Sequence, residues 1–346
     1  MEQSLHPIVS PLLLWYEQTA RDLPWRRTSD PYAIWISEIM LQQTRVEAVK
    51  EYYRRFLEQF PTVTALADAS EDTVLKYWEG LGYYSRARNL HKAAQVIRDE
   101  YQARLPASFS ELQRLPGIGE YTAGAISSIA FGLPVPAVDG NVLRVLSRIL
   151  ADRRPISDPA VKKEYGEKLK AVYPSEKCSE FTQALMELGA MVCVPNGAPD
   201  CCHCPLFFCC LAAQKELTQE IPNVPEKKKR KIEKKTVFLM MCDEKLALNK
   251  RPDTGLLAKL WELPNTPGYL SKKEAELWLS EHGVSFSKLQ KTASKTHIFT
   301  HIEWHMRSYL VWCSKESPEL FWADQQALSE QYALPTAFKQ FLSELP

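Results

Sequence analysis

The sequence predicts a multidomain chain, an all-α N-terminal part followed by a smaller α+β part, on three observations. Its 346 residues are about two average domains' worth. From Asp30 to about Cys210 the apolar spacing is helical, with short Pro- and Gly-bearing connections and no period-2 strand. Beyond residue 235 the texture turns β-branched, aromatic and alternating, as strands require. Hydrophobic residues at 45% and charged residues at 25% exclude a disordered or collagen-like chain. With 43 basic and 42 acidic residues, net charge says nothing of a partner, so any nucleic-acid surface must arise from local clustering.

The elements follow in order. Asp30 before Pro31 is an N-cap with a first-turn proline. It opens the almost wholly apolar Tyr32-Ala-Ile-Trp-Ile, a helix buried on several faces that nevertheless carries Glu38. Val46, Val49, Tyr53, Phe56, Leu57 and Phe60 then form an amphipathic stripe that Pro61 ends. Helices are predicted over 109–115 and 123–131, joined by Leu115-Pro-Gly-Ile-Gly-Glu-Tyr-Thr122, and a third follows Val138-Asp-Gly-Asn-Val142. Residues 222–235, with Pro222, Pro225 and the basic run beginning at Lys227, read as an exposed linker. After it come strands at 236–241, 245–248 and 297–305, with helical patterns at 272–281 and 336–345. The expected division is a helical domain at 1–221 (a six-helix part at about 30–134, a cysteine-bearing part at 1–29 and 135–221), the linker, and a third part at 236–346.

No run of about 18 apolar residues is present, which removes a transmembrane helix, and the short stretch at 12–15 lacks the basic flank of a secretory signal. An intracellular protein without membrane contacts is expected. In a reducing compartment, six cysteines between Cys193 and Cys210 point to metal ligands. Cys193, Cys201, Cys204 and Cys210 can close around one centre, either tetrahedral zinc or an iron-sulfur cluster, and Cys202 or Cys209 could exchange with a neighbour.

Two further patterns carry chemistry. Gly117 and Gly119 can adopt positive φ and bring backbone amides and a helix N-terminus close to an anion such as a DNA phosphate. Glu38, a carboxyl in an apolar helix, should hold its proton near neutrality, whereas Asp139, capping a helix and partly solvated, should be ionised. Such a pair suits glycosidic cleavage through an oxocarbenium-like state.

Together these residues resemble the helix-hairpin-helix DNA glycosylases with an iron-sulfur cluster, most closely the MutY-type adenine DNA glycosylases. Ser37-Glu-Ile-Met-Leu-Gln-Gln-Thr-Arg45, Gly80-Leu-Gly-Tyr-Tyr-Ser-Arg-Ala-Arg-Asn-Leu90, Leu115-Pro-Gly-Ile-Gly and Val138-Asp-Gly-Asn keep the family's order, and the likeness runs from about residue 8 to 346. The resemblance implies a four-iron four-sulfur (4Fe-4S) cluster on Cys193, Cys201, Cys204 and Cys210, although the seven-residue gap after Cys193 is one longer than the family's usual spacing. It implies Glu38 and Asp139 as catalytic carboxyls, positioned by Asn141 and Tyr121, and DNA contacts from Gln43, Tyr83, Arg86, Arg88, Gly117 and Gly119. Tyr121 stands where the related endonuclease III type has a Schiff-base lysine, so a monofunctional glycosylase is implied. The C-terminal part resembles a MutT/Nudix-like domain but lacks the Arg-Glu-x-x-Glu-Glu metal helix, and Phe299, Thr300 and His301 stand where the family contacts 8-oxoguanine. The implied partner is double-stranded DNA bearing adenine opposite 8-oxoguanine or guanine. The protein is expected to act as a monomer, in the cytoplasm or with the nucleoid.

Overall fold

The computed structural model describes residues 4–225 and 229–346. Its helices in chain order are α1 (Val9–Thr19), α2 (Pro31–Leu41), α3 (Val46–Gln59), α4 (Val63–Asp68), α5 (Glu71–Tyr77), α6 (Ser85–Glu100), α7 (Phe109–Leu112), α8 (Glu120–Phe131), α9 (Gly140–Ile149), α10 (Pro159–Lys170), α11 (Cys178–Met191) and α12 (Leu211–Gln214). Then come β1 (Lys231–Cys242), β2 (Lys245–Lys250), β3 (Trp261–Glu262), β4 (Asn265–Pro267), α13 (Lys272–Glu281), β5 (Phe286–Ile298), β6 (Ile302–Cys313), β7 (Phe321–Ala323), α14 (Gln325–Glu330) and α15 (Thr336–Lys339).

The predicted helix starts are borne out in detail. Asp30 accepts a hydrogen bond from the Tyr32 amide at 3.0 Å, so a capped, proline-led turn begins α2. Every residue from Tyr32 to Met40 is buried, Ser37 and Glu38 among otherwise apolar neighbours, and α2 packs against α3 and α8. Asp139 caps α9 by accepting from the Val142 amide at 2.7 Å. Behind these helices, α1, α9, α10 and α11 share a core built on Leu12, Val142, Leu146, Tyr165, Phe181 and Leu188.

The chain divides into two compact units, one formed by Met1–Asp68 and Asn89–Glu226, the other by Ala69–Arg88 and Lys227–Pro346. By packing, residues 69–88, which the sequence places within the helical domain, group with the C-terminal part. In that second unit a mixed sheet has the strand order β3-β2-β1-β6-β5, with β4 on β1 and β7 on β2. Only the central β1–β6 pair is parallel; the others are antiparallel. Side chains alternate across β1, with Val237 and Leu239 in one core and Phe238 and Met240 in the other.

Three predicted boundaries move. The linker ends before 235, because β1 already begins at Lys231 and pairs with Ile302; residues 226–228 of that linker lie outside the described residues. Charged residues continue the strand there because its outer end is exposed, and Lys235 lays its ammonium over the Trp304 ring at 4.6 Å. The strand pattern expected over 297–305 covers the end of β5 and the start of β6, interrupted by a tight turn at 299–301 that the Phe299 amide closes by donating to the Ile302 carbonyl at 2.9 Å. The helix expected over 336–345 is α15 followed by a separate 3₁₀ turn, Leu342–Glu344. Among the described residues no helix is long and apolar enough to cross a membrane.

Candidate active site

Glu38 sits in the third turn of α2, 5% exposed, with apolar neighbours on most sides. Loss of solvent pushes its carboxyl from the ordinary 4.5 up to about 7; the Tyr121 hydroxyl, donating to Oε2 at 2.9 Å, opposes that rise, and the negative charge of Asp139 adds to it. Tyr121 is brought there by the first turn of α8 and is itself held protonated by burial beside the two carboxyls.

Asp139 lies at the other side of the same recess. Its Oδ1 takes the α9 amide of Val142, and its Oδ2 accepts from Asn141 Nδ2 at 2.8 Å. The Asn141 amide is oriented in turn by Arg144, which donates to Oδ1 at 2.9 Å and to the carbonyls of Gly189 and Cys193, both at 2.7 Å. The sequence predicts a partly solvated, ionised aspartate, and the residue is partly exposed; enclosure raises its carboxyl, while the Val142 amide and Asn141 pull it back. The two carboxyls differ in their support. Asp139 has a helix-end amide and a side-chain amide on it; Glu38 has a single phenol.

The recess they share measures about 190 Å³, a space of the order of one bicyclic base. It is lined also by Trp25, Arg26, Met186 and Glu187, none of which the sequence reading singled out. Glu187 is 1% exposed and held well ionised, to about 2, by side-chain bonds from Arg21 and Arg26 at 2.7 and 2.8 Å that outweigh its burial. A signal for it existed: like Glu38, it is a carboxylate inside an apolar helical run, α11. A second, more open recess reaches Asp139, Asn141 and Tyr121 from the side of Gln43, Gly140 and Ile156.

The hairpin between α7 and α8 forms as expected, with a shorter first helix. Gly117 has φ +76°, and a Cβ there would come within 2.6 Å of Asn89 Cβ. Gly119 does not adopt positive φ; it is extended (φ −85°, ψ 179°) and begins α8 with no side-chain cap, which leaves the helix-end amides free of side-chain partners. Gln43 and Tyr83 are both exposed and both in the left-handed region, at φ 57° and 46°, but they lie in different units.

The arginines expected on DNA are used internally. Arg86 donates to the carbonyls of Leu81 and Gly82, stacks over Trp78 and Tyr83, and is lowered to about 10 by burial. Arg88 donates to the Ala258 carbonyl at 2.9 Å. Both therefore brace backbone carbonyls rather than project a free charge.

Cys193, Cys201, Cys204 and Cys210 line one small recess of about 20 Å³ with Arg148, Asp200 and Phe207. Cys202 is exposed, and Cys209 points its sulfur at the Leu206 carbonyl, which removes both from that wall and leaves the four-residue set. Burial pushes the thiols of Cys204 and Cys210 up, Cys204 to about 12, against the backbone amides of Leu206 and of Ala212 and Ala213, and Arg148 donates to Cys193 Sγ at 3.2 Å. Four thiols lining one recess beside a guanidinium supply the soft donors of a four-thiolate centre.

In the second unit, Phe299 packs edge-on to Trp304 with centroids 4.9 Å apart, while Thr300 and His301 are exposed at the tip of the β5–β6 turn. The Thr300 hydroxyl lies 3.1 Å from that of Tyr83. Glu274 of α13 closes a capping box with Ser271, and among the described residues of this unit no cluster of three or more His, Cys, Asp or Glu could hold a metal ion.

Comparison with known proteins agrees with this geometry. Residues 36–171 match the HhH-GPD superfamily of base excision DNA repair proteins, and residues 236–344 match a NUDIX domain. The chain is 34% identical over 307 residues to the adenine DNA glycosylase of Buchnera aphidicola subsp. Acyrthosiphon pisum (strain APS), spanning 88% of this chain and 86% of that one. It is likewise 34% identical to the adenine DNA glycosylase of Homo sapiens, over 84% of this chain and 64% of that one. Among solved structures, a non-covalent Endonuclease III–DNA complex superimposes with TM-score 0.54 at 25% identity, covering 63% of this chain and 98% of that one. A thermostable thymine-DNA glycosylase does so with TM-score 0.54 at 30% identity, covering 60% and 96%. The chain belongs to the adenine DNA glycosylases, enzymes of base excision repair that hydrolyse the N-glycosidic bond of a base in DNA.

Proposed function

We propose that the protein releases adenine paired with 8-oxoguanine or guanine in duplex DNA, with Glu38 as proton donor and Asp139 as stabiliser of the sugar cation. The observation that carries this reading is one enclosed recess with a carboxyl raised to about 7 on one wall and a capped aspartate on the other. A base cannot reach that recess from within the helix, so the adenine must be extruded, at a cost of a few kcal/mol for unstacking. Glu38 gives its proton to N7. The C1′–N9 bond then breaks with its electron pair on the base, the Asp139 carboxylate faces the cation at C1′, and water adds there with loss of a proton to leave an abasic site. Tyr121 and Asn141 orient the two carboxyls. No amine stands at position 121 to form a Schiff base, so the strand is left intact.

Gln43 and Tyr83 each act as a wedge in the opened stack in this reading, which their exposure and left-handed backbone support, and the uncapped start of α8 at Gly119 suits a phosphate. The Phe299–His301 turn, with an exposed hydroxyl and imidazole, supplies contacts for the partner base, and the second unit has no nucleotide-hydrolysing centre in this reading. The protein works as a monomer among the cell's DNA.

Cys193, Cys201, Cys204 and Cys210 would hold a 4Fe-4S cluster. When bound, it supplies a rigid cross-link among four thiolates. The purified protein is then expected to be brown and to contain about four iron atoms and four acid-labile sulfides per chain; a colourless protein with a single zinc would overturn this assignment.

Single-turnover base release from adenine opposite 8-oxoguanine, guanine and thymine tests the substrate. The expected order is 8-oxoguanine first and thymine last, with the preference for 8-oxoguanine over guanine lost on deletion after residue 222. An unchanged preference in the truncated protein would remove the C-terminal part from recognition.

A further inference from the structure

Residues 69–88 fold with the C-terminal part through a charged pair that is almost closed off from solvent. Lys76 and Glu79, at the end of α5, are 11% and 10% exposed and meet at 2.8 Å. Lys76 Nζ also donates to the carbonyls of Leu328 and Tyr332, at 2.9 and 3.1 Å, and Glu79 Oε1 accepts from the Leu334 amide at 3.2 Å and meets Lys339 at 3.4 Å. A lysine satisfied by one carboxylate and two carbonyls, beside a carboxylate that takes a backbone amide, fixes the 328–334 segment in one place.

That segment is not remote from the turn at 299–301. Leu334 and Phe338 share a core with Trp304, Trp304 packs on Phe338 with centroids 5.8 Å apart, and Phe299 leans on Trp304 at 4.9 Å. At the other end, a few residues beyond Glu79, the Tyr83 hydroxyl reaches Thr300. The stretch from Lys76 to Tyr83 is thus tied to the β5–β6 turn twice, once through packed aromatic rings and once directly.

Resting on the reading that the 299–301 turn inspects the partner base, we propose that Lys76 and Glu79 are positioning residues for partner-base specificity: they set the register of that turn against Tyr83. Neither touches DNA or the reacting carboxyls in this assignment. Their loss loosens the turn and spares the chemistry.

The test is single-turnover base release from adenine opposite 8-oxoguanine and opposite guanine, with full-length protein carrying Lys76→Met, Lys76→Arg or Glu79→Gln. Lys76→Met is expected to lower the ratio of the two rates by roughly 3- to 30-fold, the range typical of coupling changed away from both sites. The rate opposite guanine should stay within about twofold, which also controls for folding. Lys76→Arg, which keeps the donors, should retain much of the ratio. The exchanged pair Lys76→Glu/Glu79→Lys should not restore it, since a carboxylate cannot donate to the two carbonyls. A wild-type ratio well above one that Lys76→Met preserves, or an equal loss on both substrates, overturns this proposal alone. A wild-type ratio near one overturns the reading of the turn as well.

Discussion

Replacing Glu38 by glutamine is expected to slow base release by about 10²- to 10⁴-fold, the usual contribution of a positioned proton donor, while the duplex still binds. Glutamine has nearly the same shape and can still accept from Tyr121, so the loss reads out the proton alone. The wild-type rate should fall as pH rises through about 7, where Glu38 gives up its proton, and the variant should lose that limb. A single-turnover rate within tenfold of wild type, or an unchanged alkaline limb, would exclude Glu38 as the acid.

The same substitution should stabilise the fold above neutral pH. Burial raises the folded-state value from 4.5 to about 7, so between those pH values the folded chain keeps a proton that the unfolded chain has released. The stability that this group contributes is fully present below about pH 4.5 and is lost as pH rises through about 7. At pH 8 the wild type therefore carries a penalty of about 3 kcal/mol that glutamine removes, and near pH 4.5 the two proteins should unfold alike. Thermal unfolding of both proteins across this range checks the sign. A stability gap that is constant with pH would mean that Glu38 is not enclosed as described. Stability surrendered at a site of catalysis is the usual direction of that exchange.

Those features of the site lay within reach of the sequence where a single residue contradicted its surroundings. Glu38 interrupts an apolar helix, and Asp139 precedes a helix it must cap, so local rules alone singled out both carboxyls. The rest depended on tertiary approach. Arg144 and Arg148 stand among the apolar residues of α9 and read as its solvent face, yet both are buried on the carbonyls and sulfur of the cysteine-bearing loop. Nothing in α9 itself shows that loop. The raised carboxyl of Asp139 has the same origin: a cap position says which amide the carboxylate accepts, not how far the neighbouring helices enclose it. The fold shows a parallel limit. Helices and strands followed from period and caps, but the 69–88 segment looked like any other helical piece, because Lys76 and Glu79, an ordinary i,i+3 pair by sequence, take their further partners from residues some 250 positions later.

Asp139→Asn should reduce base release by about 10²- to 10³-fold, comparable with removal of one preorganised group that faces developing charge. Asparagine ranks with aspartate as an N-cap, so α9 can still begin there, at a cost of about 1–3 kcal/mol for the donor left unmet. What is lost is the negative charge facing the sugar cation and, with it, the bond from Asn141. Because Arg144 holds Asn141 Oδ1, the Asn141 Nδ2 group must continue to face position 139, where it would meet either a neutral carbonyl oxygen or a second NH₂. The first arrangement turns the new amide's own NH₂ toward the Val142 amide, and the second sets two donors against each other; in both, one buried donor goes unmet. The effect should therefore be larger than for Asn141→Ala, which removes a support and leaves the charge. Single-turnover rates for the two variants decide the point. If Asn141→Ala costs as much as Asp139→Asn, the aspartate's charge is not what lowers the barrier, and orientation of the pair carries the reaction instead.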